Sequence, residues 1–413
     1  MKNTLKKIIS EFHEREIVYI ERNISMNFPD NKIITIIGPR RSGKTYSMFQ
    51  IMDFFASGEY QKSQFLYLNF EDERLFKSEF DYDLIFQAYY EVFPDNINKK
   101  IIIFFDEIQL VPHWEKFIRR VYDSISNKIF ITGSNSNMLS SDIATSLRGR
   151  NFNIEIFPLS FTELLKFKNI NPSLSTNKNI ARINLAFEEY LIYGGYPEIV
   201  NYEEFSKIEV LQNYFNVMIY RDISERFNII HTEILKFILK KLISSVSSKF
   251  SVNKLYNDIK SSGGKISKDT LYSLINDISD IFLIKEVERF STSLSQRKSH
   301  NSKFYFYDNG ILSAINYNLS KDYGKLLENL VAVELLRRQY EIFYSAKDSE
   351  CDFIALKRNS RLAIQVCHTI TEENINREIS GFKNLKFDKN ILIYQNSEIT
   401  LPPEAINIID FLI

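Results

Sequence analysis

The residues Gly38-Pro39-Arg40-Arg41-Ser42-Gly43-Lys44-Thr45 constrain this chain more than any other stretch. They follow the apolar run Ile33-Ile34-Thr35-Ile36-Ile37 and lead into Tyr46-Ser47-Met48-Phe49-Gln50-Ile51-Met52. The β-branched run predicts a strand, and the apolar spacing after Thr45 predicts a helix. A glycine-bounded turn between them points backbone N–H groups inward at phosphate oxygens, and the helix N-terminus adds a favourable dipole. In such a turn Lys44 reaches the β- and γ-phosphates and the Thr45 hydroxyl ligates Mg²⁺. Gly38, Pro39, Arg40, Arg41, Ser42, Gly43 and Tyr46 complete the candidate cradle.

A second motif supports the first. Ile101-Ile102-Ile103-Phe104-Phe105 is a continuous apolar run ending in Asp106-Glu107. Strands buried on both faces read this way, and ligands of parallel sheets sit at the carboxyl ends of the strands. Asp106 is placed to hold a magnesium shell and Glu107 to polarise an attacking water. Phe65 to Phe70 reads as another strand, Leu84 to Val92 and Trp114 to Ser126 as helices, and Lys128 to Ser134 as a fourth strand. This alternation predicts an α/β fold with a doubly wound parallel sheet. Ser134 and Asn135 end that fourth strand, where they can meet a γ-phosphate or serve as ordinary turn residues. Arg150, after Ser146-Leu147-Arg148-Gly149, is either an arginine that stabilises charge on a neighbouring subunit's nucleotide or part of a solvated surface pair.

The 413 residues exceed one ordinary core, so several domains are expected. The 52 basic and 52 acidic residues cancel, so a polyanion partner requires a local patch. Two cysteines, Cys351 and Cys367, suit a reducing compartment. The N-terminal segment lacks the apolar core of a secretion signal, and no run reaches the roughly 20 apolar residues of a membrane span. A cytoplasmic protein without a membrane partner is expected.

Four domains are expected: a phosphate-cradle core over 1–157, a helical lid over 158–230, a winged helix-turn-helix over 231–310 and an α/β module over 311–413. The lid is interrupted by Tyr193-Gly194-Gly195-Tyr196-Pro197-Glu198, a tight shaped turn. Helices over Leu235 to Phe250, Ser251 to Ile259 and from the Ser267 cap to Ile278 precede a hairpin of Phe282 to Phe290 and Lys303 to Tyr307. Lys254, Lys260, Lys265, Lys268, Arg289, Arg297, Lys298 and Lys303 give that segment a basic side able to neutralise DNA phosphates, although such lysines are normally solvated.

Taken together, these residues resemble the AAA-type P-loop ATPases that carry a C-terminal DUF4143 domain. The motifs are Gly38 to Thr45, Phe105-Asp106-Glu107-Ile108-Gln109, Thr132 to Asn135, Leu147 to Arg150, Tyr193 to Glu198, Tyr220-Arg221-Asp222-Ile223, Lys303 to Asp308 and Gly324 to Asn329. The resemblance implies an ATPase core, a helical lid, a winged helix and a restriction-endonuclease-like C-terminal fold. It also implies ATP and Mg²⁺ as ligands and Arg150 as an arginine acting in trans within a homo-oligomer.

Nucleases of that fold hold Mg²⁺ with an Asp at a hairpin start and an acid one strand later, followed two positions on by a Lys. Asp352 and the helical Glu328 fit, but Gln365 stands for the second acid and Cys367 for the Lys. Gln carries no charge and Cys cannot replace an ammonium donor, so a catalytically dead module used for binding is expected. The leading expectation is an ATP-binding, ATP-hydrolysing regulator. The alternatives are an ATP-gated DNA-binding protein or degenerate nuclease, and a non-enzymatic nucleotide switch acting on a protein partner.

Overall fold

The computed structural model describes residues 1–413 except 76–80, 140, 226–231, 292, 294–296, 298, 299, 317–321, 347–349, 384 and 386, and except the side chains of 137, 139, 141–143, 222, 224, 225 and 232. Lys298 and the end of the expected lid helices at Asn228 therefore lie outside the described residues. The chain divides into two compact units, Met1–Ile156 and Phe157–Ile413.

In the first unit, helix α1 (Lys2–Glu14) precedes strand β1 (Ile33–Ile37), α2 (Lys44–Ala56), β2 (Phe65–Asn69), α3 (Asp83–Val92), β3 (Ile102–Asp106), α4 (Trp114–Ser124), β4 (Ile129–Gly133), α5 (Ser141–Ser146) and β5 (Asn151–Glu155). The strands form one parallel sheet in the order β2-β3-β4-β1-β5. β1, β3 and β4 are buried along their whole length, which is why their sequences are continuous apolar runs rather than alternating ones. Ile37 pairs with Gly133 across β1 and β4, so the cradle turn after β1 and Ser134 after β4 leave the same edge of the sheet.

β5 is an addition to the strands expected from the sequence. It reads Asn-Phe-Asn-Ile-Glu, lies at the edge of the sheet and keeps most of its side chains partly or fully exposed. An edge strand needs no apolar run, so its only signal is the alternation of Phe152 and Ile154. Helix α4 buries Trp114, Phe117, Ile118 and Val121, an i, i+3, i+4, i+7 stripe, and carries Lys116, Arg119 and Arg120 elsewhere on its surface.

The main core cluster of the second unit reaches from Leu159 to Leu412, with smaller clusters around Cys351 and Cys367. Helices α6 (Phe161–Phe167), α7 (Asn177–Tyr193) and α8 (Glu204–Val217) come first. Next are α9 (Thr232–Ser244), β6 (Lys249–Phe250), α10 (Val252–Ser261), α11 (Lys268–Asp280), β7 (Ile284–Val287) and β8 (Ser302–Phe306). β6, β8 and β7 form a small antiparallel sheet in that order. The helix expected over Leu235 to Phe250 stops at Ser244, and Lys249–Phe250 pairs with β8 instead. Between the two, Ser247 takes a left-handed φ of 61°, which ends helical continuation.

Helices α12 (Asn309–Ile315) and α13 (Tyr323–Arg337) lead into β9 (Glu341–Ala346), β10 (Glu350–Lys357), β11 (Ser360–Ile370), α14 (Ile375–Ser380), β12 (Lys389–Ser397), β13 (Ala405–Asn407) and α15 (Ile408–Leu412). These strands form a mixed sheet, β13-β12-β11-β10-β9, antiparallel among β9, β10 and β11 and parallel from β11 to β13.

A buried polar clasp joins helices of this unit. Asp308 accepts from the backbone N–H of Gly195 and of Gly310, each at 2.8 Å. Asn309 donates to the carbonyls of Leu191 and Leu326, and Asn329 exchanges bonds with both backbone groups of Phe306. In the Tyr193 to Glu198 turn, this clasp leaves no room for a side chain at Gly194, and at Gly195 a Cβ would stand 2.3 Å from the Leu159 carbonyl. A Cβ on Gly194, whose φ is +71°, would lie 1.9 Å from the Asp308 carboxylate.

Candidate functional site

The cradle turn has the shape its sequence predicts for close backbone approach. Gly38 takes φ +146° and a Cβ there would stand 2.1 Å from the carbonyl of Ile156. Gly43, at φ 97°, caps α2, while Arg41 turns at φ 64°. Pro39 and Ser42 are buried within the turn, Arg41 and Tyr46 are exposed, and Arg40 pairs with Glu71 at 3.0 Å. Among the described residues, the buried Ser42 hydroxyl has no hydrogen-bond partner.

Lys44 is buried. Its ammonium donates to the carbonyls of Gly38 at 3.2 Å and Pro39 at 3.0 Å and stands 3.9 Å from Glu107. Thr45 donates its hydroxyl to Asp106 Oδ2 at 2.7 Å. Asp106 also accepts from Thr132 and, at 3.1 Å, from the Tyr67 hydroxyl. Burial and then the neighbouring Glu107 charge raise the Asp106 pKa, while the three hydroxyls work against that rise.

Glu107 sits at a left-handed φ of 52°, and its backbone N–H is tied to the Thr132 hydroxyl at 2.9 Å. Its carboxylate accepts from Gln109 and, at 3.5 Å, from Ser134. Asn135 is buried beside them in the chain. The structure thus brings Lys44, Thr45, Asp106, Glu107 and Ser134 together. It does not bring Arg150 to them. That guanidinium pairs with Asp123 and lies over the Tyr122 ring at 4.6 Å.

Three participants go beyond the sequence reading. Tyr67 and Thr132 hold Asp106, and Gln109 holds Glu107. Thr132 carries a signal, a hydroxyl at the carboxyl end of an otherwise apolar strand. Tyr67 reads as an ordinary strand aromatic and carries none.

These groups suit a magnesium-bound triphosphate by the chemistry they present. The turn has no space for a side chain at Gly38, a buried hydroxyl is unsatisfied among the described residues, and a buried ammonium rests on carbonyls that a phosphate oxygen outcompetes as an acceptor. A hydroxyl and a carboxylate in contact form the donor set that a hard divalent cation takes.

In the second unit, Glu328, Glu350 and Asp352 converge on one buried ammonium, Lys303 of β8, at 3.1, 3.4 and 3.5 Å. Tyr305 donates to Glu328 at 2.6 Å. Burial alone lowers the Lys303 pKa, but the three acids overcome it and raise the value. Burial and the Glu328 charge push Asp352 up. Gln365 accepts from the Asp352 backbone N–H at 3.3 Å and donates to Glu378 at 2.9 Å, and Cys367 lies against the carbonyl of Thr369. Lys303 is therefore corrected from a DNA-facing residue to the internal counter-ion of this cluster. Arg289 is likewise engaged with the Ala346 carbonyl at 3.0 Å, and Arg297 with that of Ser291 at 2.6 Å. Lys254, Lys260, Lys265 and Lys268 are exposed.

Fold and site define a P-loop NTPase domain of the AAA type, and a family model described as an AAA domain matches residues 30–165. The chain belongs to the family of the uncharacterized protein MJ1544 of Methanocaldococcus jannaschii, to which it is 39% identical over 89% of its own length and 83% of that protein's. An uncharacterized protein of Haemophilus influenzae is 32% identical, over 94% of this chain and 96% of the relative. A second model, a domain of unknown function (DUF8612), matches residues 184–339. This corrects the expected DUF4143 assignment, and no comparison shows a nuclease fold. Among solved structures, the Aeropyrum pernix Orc1 protein in complex with DNA aligns at TM-score 0.33 and 12% identity, covering 81% of this chain and 93% of that one. Cdc6p from Pyrobaculum aerophilum aligns at 0.26 and 11%, covering 79% and 92%. Likenesses at these scores carry no functional weight. Among the described residues, no helix is long and apolar enough to cross a membrane.

Proposed function

We propose that the first unit binds ATP with Mg²⁺ and hydrolyses it, and that the protein uses this cycle to regulate or remodel a partner. The observation that carries the reading is the contact between Thr45 and Asp106 at 2.7 Å beside a buried Lys44 that also reaches Glu107. Bound Mg²⁺ would supply charge neutralisation on the β- and γ-phosphate oxygens. Thr45 and Asp106 would hold it, and the turn amides with Lys44 would bind the phosphates. Glu107, oriented by Gln109 and Ser134, is the group that accepts a proton from the attacking water. Any role of Arg150 in trans first requires its release from Asp123.

Glu107→Gln should bind ATP as the native protein does and lose turnover by roughly a hundredfold or more, the usual scale of a general base. Unchanged turnover removes Glu107 from this role.

For the second unit, we propose that residues 231–310 act as a winged helix and residues 311–413 as a binding module without nuclease chemistry. The Lys303 ammonium among Glu328, Glu350 and Asp352 favours this over a cleavage site, because a cation tethered by the chain satisfies the acids.

A further inference from the structure

A cleft of about 690 Å³ opens on the first unit between α4 and the turn at Arg148. Lys116, Arg119, Arg120 and Arg148 line it, with Asp123 the one acid among the described lining residues and Phe117 among its apolar ones. Lys116, Arg119 and Arg120 fall at i, i+3 and i+4 of α4, so they share one face of the helix. Arg148 comes from a different segment, at a left-handed φ of 53° followed by Gly149 at 69°. These two residues close the end of α5, where the backbone N–H of Arg148 donates to the Thr145 carbonyl at 2.9 Å and that of Gly149 to the Ala144 carbonyl at 2.8 Å, which fixes where the Arg148 side chain leaves the turn.

Two nearby acids are already engaged. Asp123 pairs with Arg150 and Asp83 pairs with Arg120. Lys116, Arg119 and Arg148 therefore bring three positive charges that these acids do not offset, in a chain whose total charge is zero.

We propose that this cleft binds the phosphodiester backbone of single-stranded nucleic acid. Three cations from two sides of a cleft can neutralise successive phosphates of a flexible strand, the electrostatic term that dominates sequence-independent binding. The cleft falls in the size range of small-ligand pockets, about 300–1,000 Å³, and a flexible strand can bend its backbone to meet cations on both sides of it. It also places the nucleic-acid contact on the first unit rather than on α10 and α11. Its wall begins at Pro112 and His113, a few residues after Glu107 and Gln109 in the chain. The proposal deepens the ATPase reading by naming the partner, but binding itself does not depend on hydrolysis.

The test is fluorescence anisotropy of a labelled oligothymidylate with the full chain, across a salt series. Neutralising about three phosphates gives log Kd against log[salt] a slope near 2, taking about 0.7 per phosphate of a single strand. Lys116→Glu combined with Arg148→Glu should weaken binding roughly tenfold or more and bring the slope below about 1. Uptake of a fluorescent ATP analogue by the same variant should be unchanged, which establishes that the unit is folded and separates this proposal from the ATPase reading. The proposal is overturned if the oligonucleotide does not bind at low salt, or if the double variant binds it as the native chain does. It is equally overturned if Lys265→Glu with Lys268→Glu removes the binding instead, if duplex binds more tightly than single strand, or if inorganic triphosphate displaces the strand at equal phosphate concentration.

Discussion

At the scale of single residues, two buried ionisable groups decide more than their neighbours. Lys303 balances three acids from α13 and β10; Glu350 is exposed and also pairs with Lys249, so removing Lys303 leaves the carboxyls of Glu328 and Asp352 largely buried without a cation. Breaking a buried ion pair by deleting one partner costs about 3–5 kcal/mol. Lys303→Met should lower the stability of residues 157–413 by that order in urea unfolding, and a loss under about 1 kcal/mol would show the ammonium to be incidental. Asp308 is the second group. Burial pushes its pKa up to about 7, against the hydrogen bonds from Gly195 and Gly310. A carboxyl whose folded pKa exceeds its unfolded value of about 3.9 binds more protons when folded, so the Asp308 contribution to stability falls as pH rises from about 4 to 7 and then levels. Asp308→Asn should flatten that dependence between pH 4 and 7, as read from unfolding midpoints. A slope that persists in the variant assigns it to other groups.

At the scale of elements, glycines mark where two segments approach too closely for a side chain. Gly38→Ala sets a Cβ 2.1 Å from the Ile156 carbonyl, and Gly194→Ala sets one 1.9 Å from Asp308. Both variants should lose stability by several kcal/mol, because a left-handed φ and a backbone or carboxylate clash act together. Thermal melts of the two separate the effects: Gly38→Ala should also abolish nucleotide uptake, whereas Gly194→Ala should spare it. The elements also show what is legible in the sequence. The cradle turn and the Asp106 strand can be read because their chemistry needs consecutive residues of stated type. β5 cannot, since an edge strand with Asn, Asn and Glu lacks the apolar run of its neighbours. β6 cannot either, being two residues long and recognisable only by its pairing with β8. Lys303 reads as a surface cation because its partners lie on α13 and β10, far along the chain.

At the scale of the whole molecule, each unit contains its own core. Residues 1–156 contain a parallel sheet, and residues 157–413 contain a main cluster from Leu159 to Leu412 with two smaller ones beside it. Each should fold when expressed alone, with a cooperative urea transition. The central claim concerns the first unit, and titration of the intact protein with Mg·ATP by calorimetry tests it most directly. Native protein should take up one equivalent per chain, and Lys44→Ala should weaken uptake by roughly a hundredfold, the scale of a lost phosphate-binding ammonium. No heat of binding in the native protein, or equal affinity in the variant, would contradict the account.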